Sequence, residues 1–221
     1  MNAKTRILPA LLLAAALLPA SVRAATSGPY TYTVADNKAT ITEFDISYSG
    51  AVSITNELGG YPVTSIGDSA FFDCKSLTSV TIPASVTSIG DSAFYFCESL
   101  TSITIPDSVT DIGSYAFYFC ESLTSITIPD SVTSIGDKAF YVCNSLTSAT
   151  IGNSVESIGD SAFYNTPVAS VTIGNSVTSI GVNAFRLCPS LPSRSPPASP
   201  PSATAPSTAA PTSPPSPSPP A

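Results

Sequence analysis

Several residue types are scarce or missing in this sequence of 221 residues. Histidine and tryptophan are absent, methionine occurs once, and charged residues make up only 10% of the chain. Histidine is the usual proton carrier near neutral pH, so the many serines and aspartates have no partner for acid–base or nucleophilic catalysis. No phosphate-binding loop or paired carboxylates are found either. The sequence therefore predicts a protein that is not an enzyme.

Basic residues are also few. Lysine and arginine total 8 against 15 acidic residues, which gives a net charge of −7. Nucleic-acid binding requires clustered lysine and arginine, so no nucleic-acid partner is expected. The five cysteines include no C-x-x-C pair, and without histidine a zinc site is not predicted. No metal and no cofactor are expected.

What the chain does contain is a repeat of 23 residues. Residues 99–121 read SLTSITIPDSVTDIGSYAFYFCE, and residues 122–144 are nearly identical to them. An Ile-Gly pair and an Ala-Phe pair recur at this interval, which shortens to 22 only at the last repeat. One such unit cannot bury its own apolar side chains, whereas stacked units can. The repeat therefore predicts a solenoid with about six coils.

Within one coil, the alternation of apolar and polar residues predicts a strand that ends at Pro106. A second extended segment follows, and Gly113 allows a tight corner after it. The spacing i, i+1, i+4 of the last apolar residues fits one face of a helical turn. The side chains expected to face inward are Leu100, Ile103, Ile105, Val109, Ile112, Ala116, Phe117 and Cys120. The predicted fold is an α/β repeat solenoid with one continuous parallel β-sheet, short helical turns and an N-terminal β-hairpin cap.

Four segments are predicted along the chain. Residues 1–24 resemble a secretory signal peptide, with an apolar run of ~14 residues that is too short to span a membrane. After cleavage no stable membrane span is expected. Residues 25–50 form the β-hairpin cap, residues 51–191 the solenoid, and residues 192–221 a disordered tail rich in proline and serine. The tail is interpreted either as a stalk or as a truncated or frame-shifted gene end. The coil before it has no successor, which predicts end-to-end self-association through this uncapped C-terminal coil.

Four columns of repeated residues are candidates for function. Exposed strand positions form a hydroxyl array, which is either a binding face, a bland surface or an ice-binding array: Thr81, Thr104, Thr127, Thr150 and Thr172, each preceded two residues earlier by serine. A tyrosine column either stacks on sugars or protein partners, or packs only on itself: Tyr95, Tyr118, Tyr141 and Tyr164. An aspartate column is expected to cap the helical turns, with calcium binding as the alternative: Asp68, Asp91, Asp137 and Asp160. A cysteine column is expected to be buried as free thiols, with disulfides between coils as the alternative: Cys74, Cys97, Cys120 and Cys143.

The repeat pattern L-x-x-I-x-I-P-x-x-V-x-x-I-G-x-x-A-F-x-x-C resembles the BspA-like class of leucine-rich repeats over residues 51–191. Proteins of this class are secreted or lie on the cell surface, mostly in microbes, and are usually assigned to adhesion or protein binding. The family has no shared catalytic residues. The resemblance implies a secreted or cell-surface binding module whose ligand is a protein or a glycan. The alternative is a structural component of an extracellular layer or matrix with no discrete ligand.

Overall fold

The computed structural model describes residues 24–189, which form a stack of coils built from strands and turns. The predicted signal peptide, apart from Ala24, and the predicted tail of residues 192–221 lie outside the described residues. The strands in chain order are β1 (Ala24–Ser27), β2 (Tyr30–Ala35), β3 (Lys38–Phe44), β4 (Gly50–Ser53), β5 (Glu57–Leu58), β6 (Tyr61–Ile66), β7 (Leu77–Thr81), β8 (Ser88–Ile89), β9 (Ser102–Thr104), β10 (Asp111–Ile112), β11 (Ser125–Ile128), β12 (Ser134–Ile135), β13 (Ser148–Ile151), β14 (Ser157–Ile158), β15 (Ser170–Thr172) and β16 (Ser179–Ile180).

The strands belong to three sheets, so the prediction of one continuous parallel sheet is wrong. The longest sheet has ten strands and is built mainly from the two-residue Ser-Ile or Asp-Ile segments, in the order β1-β2-β3-β6-β8-β10-β12-β14-β16, with β5 pairing β6. The strands that begin each coil form two separate parallel sheets, β4-β7-β9 and β11-β13-β15. We call these six strands the strand face.

An antiparallel hairpin of β2 and β3 precedes the repeats, and β1 adds a third antiparallel strand. β3 then pairs in parallel with β6, so the hairpin continues the ten-stranded sheet at the N-terminal end. Phe44 at the end of β3 is buried, and its ring stacks on that of Phe71 with 4.6 Å between centroids. The hairpin thus covers the apolar interior of the first repeat.

The predicted helical turns are wrong, because no helix occurs among residues 24–189. Each predicted turn instead contains two residues in the left-handed region, such as Ser69 with φ of 57° and Asp73 with φ of 61°. Left-handed residues interrupt a right-handed helix. The N–H of Phe71 donates to the carbonyl of Ala93 in the next coil at 2.7 Å, and the equivalent bond recurs in each later coil up to that of Phe163. We call this third face of the solenoid the corner ladder.

The predicted interior is confirmed. All eight side chains that were expected to face inward in the coil from Leu100 to Cys120 are buried. The central feature is a stack of phenylalanine rings, with centroids 4.6–5.3 Å apart from Phe44 to Phe185. This spacing is close to the ~4.8 Å between neighbouring strands, so each ring fills the space directly above the one before it.

Glycine is required after each Ser-Ile segment because of close packing between coils. A Cβ atom added to Gly113 would lie 2.6 Å from the backbone nitrogen of Asp91 and 2.6 Å from the carbonyl carbon of Gly90. Neither backbone atom can move aside without separating the coils. The sequence suggested that this glycine permits a tight corner, and the structure shows that it permits two backbones to touch.

Candidate binding surface

The predicted threonine column lies on the strand face and is exposed along its whole length. Parallel register places Thr81 beside Thr104, and Thr150 lies between Thr127 and Thr172. Strands β7, β9, β11, β13 and β15 contain no charged residue. Within residues 24–189, the hydroxyl groups of these threonines have no hydrogen-bond partner. The strand face therefore presents ordered hydroxyl groups that are available to a ligand.

Two other threonine columns differ from this one because their hydroxyl groups are used inside the protein. Thr101 Oγ1 donates to the carbonyl of Thr78 in the preceding coil at 2.9 Å. Thr110 Oγ1 donates in the same way to the carbonyl of Thr87 at 3.2 Å. Equivalent bonds recur along both columns, so these threonines stabilise the stack of coils. The sequence alone does not separate them from the strand-face column, because threonine recurs at the interval of the repeat in all three.

The tyrosine column forms a stacked ladder on the outer side of the corner. Neighbouring rings from Tyr95 to Tyr164 lie 4.6–4.9 Å apart and within 9° of parallel. Phe72 continues the stack at one end, and the guanidinium of Arg186 lies 5.9 Å from the Tyr164 ring at the other. The ring faces are therefore occupied by each other, which removes the stacking surface that a sugar requires. The pKa of Tyr118 is raised by burial and, to a lesser degree, by Tyr95 and Tyr141.

The aspartate column does not cap helices, so that prediction is wrong. Each carboxylate instead accepts a hydrogen bond from a backbone N–H in the next coil, as Asp91 does from Ser114 at 2.7 Å and Asp137 does from Asp160 at 2.8 Å. Among the described residues, no three metal-ligating side chains come together. The aspartate column therefore links neighbouring coils through hydrogen bonds.

The cysteines are free thiols, and four of the five are fully buried. The Sγ of Cys97 donates to the carbonyl of Phe71 in the preceding coil at 3.2 Å, and Cys120 and Cys143 repeat this bond. Burial raises the pKa of Cys74 to about 12, and it raises the pKa values of Cys97, Cys120 and Cys143 strongly. The four buried thiols are therefore shielded from solvent and from reagents at the surface.

A groove beside the C-terminal part of the strand face was not predicted from the sequence. It has a volume of about 500 Å³. Its polar lining consists of three strand-face threonines, Thr127, Thr150 and Thr172, and of Asp130, Asn153 and Asn175. A change of residue type within the repeat is the feature of the sequence that could have indicated this groove. The residue that follows the strand is proline in the earlier coils, Pro129 being the last, and glycine at Gly152 and Gly174.

The fold and its surfaces define a class, a β-solenoid of leucine-rich-repeat type. The BspA type leucine rich repeat region matches residues 64–192 in six copies, which is more than half of the chain. This protein belongs to that family. No helix long and apolar enough to cross a membrane occurs in residues 24–189.

Solved structures agree with this assignment. The T. pallidum leucine rich repeat protein TpLRR is 30% identical, with a TM-score of 0.67, and the match covers 75% of this chain and 89% of that one. A leucine rich cell surface protein from Faecalibacterium prausnitzii is 38% identical, with a TM-score of 0.58, over 76% of this chain and 53% of that one. The pneumococcal vaccine antigen PcpA is 26% identical, with a TM-score of 0.63, over 75% and 48%. The chain thus spans about half the length of the last two. A comparison with curated proteins gives no match.

Proposed function

We propose that this protein is a secreted or cell-surface binding and adhesion module that acts without catalysis through its strand face. The observation that carries the proposal is the row of strand-face hydroxyl groups without internal partners, from Thr81 to Thr172. The remaining threonine columns, the aspartates and the tyrosine ring faces are all used to hold coils together. The strand face is thus the surface whose regular polar groups have no structural task.

The proposed location rests on the relatives and on the N-terminal sequence. One similar structure is described as a cell surface protein and another as a vaccine antigen, both descriptions that suit an exposed protein. The charged N-terminal start and the apolar run of ~14 residues are typical of a secretory signal peptide. A module of this kind meets its partner outside the cell.

A binding assay with the full secreted chain tests the proposal. The labelled protein is titrated onto a panel of host cells, extracellular-matrix proteins and glycans, and the matched variants Thr127→Lys and Asn144→Lys are compared. Both positions are exposed and both changes add one positive charge, but Asn144 lies at the corner and Thr127 on the strand face. We expect saturable binding that Thr127→Lys weakens about tenfold or more, which corresponds to about 1.4 kcal/mol. Asn144→Lys should bind like the unmodified protein.

Two results would count against the proposal. Equal weakening by the two variants would show that the strand face is not the site. Binding that never saturates would instead favour a structural component of an extracellular layer, the alternative that the composition also allows.

A further inference from the structure

We propose that the groove beside strands β11, β13 and β15 is a subsite for a neutral oligosaccharide. This inference rests on the proposed function, because the groove shares Thr127, Thr150 and Thr172 with the strand face. It goes further in naming both the position of the site and the chemical class of the ligand. Four observations support it: the way the groove is built, the groups that line it, its dimensions and the charge around it.

The groove is built by the change from proline to glycine. Gly152 is buried, and a Cβ atom added to it would lie 2.5 Å from the carbonyl oxygen of Pro129. Gly174 lies as closely against the carbonyl group of Gly152. The two glycine loops therefore lie flat on the loops before them. The concave surface extends over these coils and ends at Pro129, the last proline in the series.

The lining suits a sugar chain, which has hydroxyl groups at its edges and C–H groups on its faces. The hydroxyl groups of Thr127, Thr150 and Thr172 line the groove, together with the carboxamides of Asn153 and Asn175, which offer donors and acceptors. Asp130 Oδ1 accepts a hydrogen bond from the backbone N–H of Asn153 at 2.6 Å, which holds the carboxylate in place and leaves its second oxygen for a ligand hydroxyl. Of the isoleucines in the lining, Ile128 and Ile151 are buried, whereas Ile173 is only partly buried and can offer apolar surface to the face of a sugar.

The dimensions agree with this chemistry. Equivalent polar groups of the lining, such as those of Thr127, Thr150 and Thr172, are one coil apart. Paired strands lie ~4.8 Å apart, which is about the length that one hexose adds to an extended chain. The volume of about 500 Å³ lies within the ~300–1,000 Å³ typical of small-molecule sites. A ligand that repeats at the same interval as the coils can therefore make the same contacts in each of them.

The charge favours a neutral ligand. Asp130 is the only charged residue that lines the groove, and the whole chain carries a net charge of −7. An acidic polysaccharide would be repelled by this carboxylate and by the net negative charge of the protein. A basic ligand would have only one carboxylate in the lining with which to pair. A neutral chain rich in hydroxyl groups is not repelled and needs no further carboxylate.

The test is a calorimetric or NMR titration of the full secreted chain. The probes are hexamers of β-1,4-glucan, β-1,4-mannan and α-1,4-glucan, and a galacturonate hexamer serves as the acidic comparison. The groove variant is Thr150→Val with Asn153→Ala, which removes two polar groups from the lining. Its control is Asn56→Ala with Asn144→Ala, which removes two uncharged polar side chains from exposed positions outside the strand face and outside the groove.

At least one neutral hexamer is expected to bind, and the galacturonate hexamer is expected to bind more weakly. The groove variant should lose about tenfold or more in affinity, and the control should stay within about twofold of the unmodified protein. Equal losses in both variants would show that the loss is not specific to the groove, and would overturn the proposed subsite. A different result would be that no hexamer binds, while the protein still binds a partner and Thr127→Lys still weakens that binding. This result would overturn the sugar ligand and leave the proposed function standing. Partner binding that Thr127→Lys does not weaken would instead contradict the proposed function itself.

Discussion

The carboxylate of Asp68 accepts a hydrogen bond from the backbone N–H of Asp91, one coil further along the solenoid, at 2.9 Å. The same bond links Asp91 to Ser114 and Asp137 to Asp160. A carboxylate that accepts an N–H from its own turn would stabilise one coil by itself. A carboxylate that reaches the next coil stabilises the contact between two coils, which is the contact on which a solenoid depends.

Asp91→Ala should therefore destabilise the protein, because the N–H of Ser114 loses its acceptor. The expected cost is about 1 kcal/mol, the usual net value of such a bond. The control Asp107→Ala removes another exposed carboxylate, one with no hydrogen-bond partner among the described residues, and should change stability very little. Urea unfolding of both variants measures the difference. If the urea midpoints of the two variants shift by the same amount, the hydrogen bond between the coils does not contribute to stability.

The phenylalanine stack leads to a second prediction. Phe117 is fully buried, with its ring 5.3 Å from that of Phe94 and 5.1 Å from that of Phe140. Phe117→Ala should cost about 3–5 kcal/mol, as expected for a large-to-small change in a core. Thr104→Ala, at an exposed position of the strand face, should cost little. Thermal melts that show the two variants equally stable would contradict the inward and outward assignment.

The sequence was enough to predict which side chains face inward, because that depends on apolar spacing. Val109 and Ile112 are three residues apart in a segment with polar neighbours, and both are buried as predicted. The same spacing could not reveal that the corner is not helical. Ala116, Phe117 and Cys120 would share a face of a helical turn, yet they are also buried when Tyr115 and Phe119 adopt left-handed φ angles near 59° and 58°. What decides between the two is hydrogen bonding to the next coil, which a single repeat does not contain.

The candidate site was predicted in part. The strand-face position of Thr127 follows from strict alternation, whereas the difference between Thr127 and Thr124 depends on a hydrogen bond from Thr124 to Thr101 across the coils. The groove depends on how closely the loop at Gly152 approaches Pro129. Distances between coils of this kind are tertiary, and no pattern in the sequence measures them.

The buried thiols lead to a prediction about pH. In the folded protein, burial raises the pKa of Cys74 to about 12 and that of Cys120 well above its usual range. In the unfolded chain, a cysteine thiol has a pKa of ~8.5. Below pH ~8.5 these thiols stay protonated in both the folded and the unfolded state, so they add no pH dependence to the free energy of unfolding. Above it the unfolded state loses protons that the folded state retains, and stability falls as pH rises. Melting temperatures should therefore be level from pH 7 to 8 and decline above ~8.5.

Cys120→Ala provides the control for this effect, because it removes one of the titrating thiols. Its melting temperature will be lower at neutral pH, but the decline above ~8.5 should be less steep than in the unmodified protein. Thiol titration of the unfolded, non-reduced protein should also find close to five free cysteines, since all five are free in the folded structure. A count of one would mean that disulfides join the coils, and an unchanged slope in Cys120→Ala would contradict the thiol origin of the decline.

The last prediction concerns the C-terminal coil. The side chain of Ile180 is 50% exposed, whereas Ile158, at the same position one coil earlier, is 1% exposed. The N–H of Phe140 donates to Ala162, but the N–H of Phe185 has no acceptor among residues 24–189. At low protein concentration the amide of Phe185 should therefore exchange its hydrogen much faster than that of Phe140, which serves as the internal control.

At higher concentration the same end should self-associate, because the outer edges of β15 and β16, which pair with no further strand within residues 24–189, can pair with another chain. The hairpin covers the ten-stranded sheet at the other end. Association should therefore stop at tail-to-tail dimers and not continue into fibres. Exchange at Phe185 should then slow as sedimentation shows a dimer, while exchange at Phe140 stays unchanged. A monomer at every concentration, with Phe185 as well protected as Phe140, would mean that residues 190–221 cover this end of the solenoid.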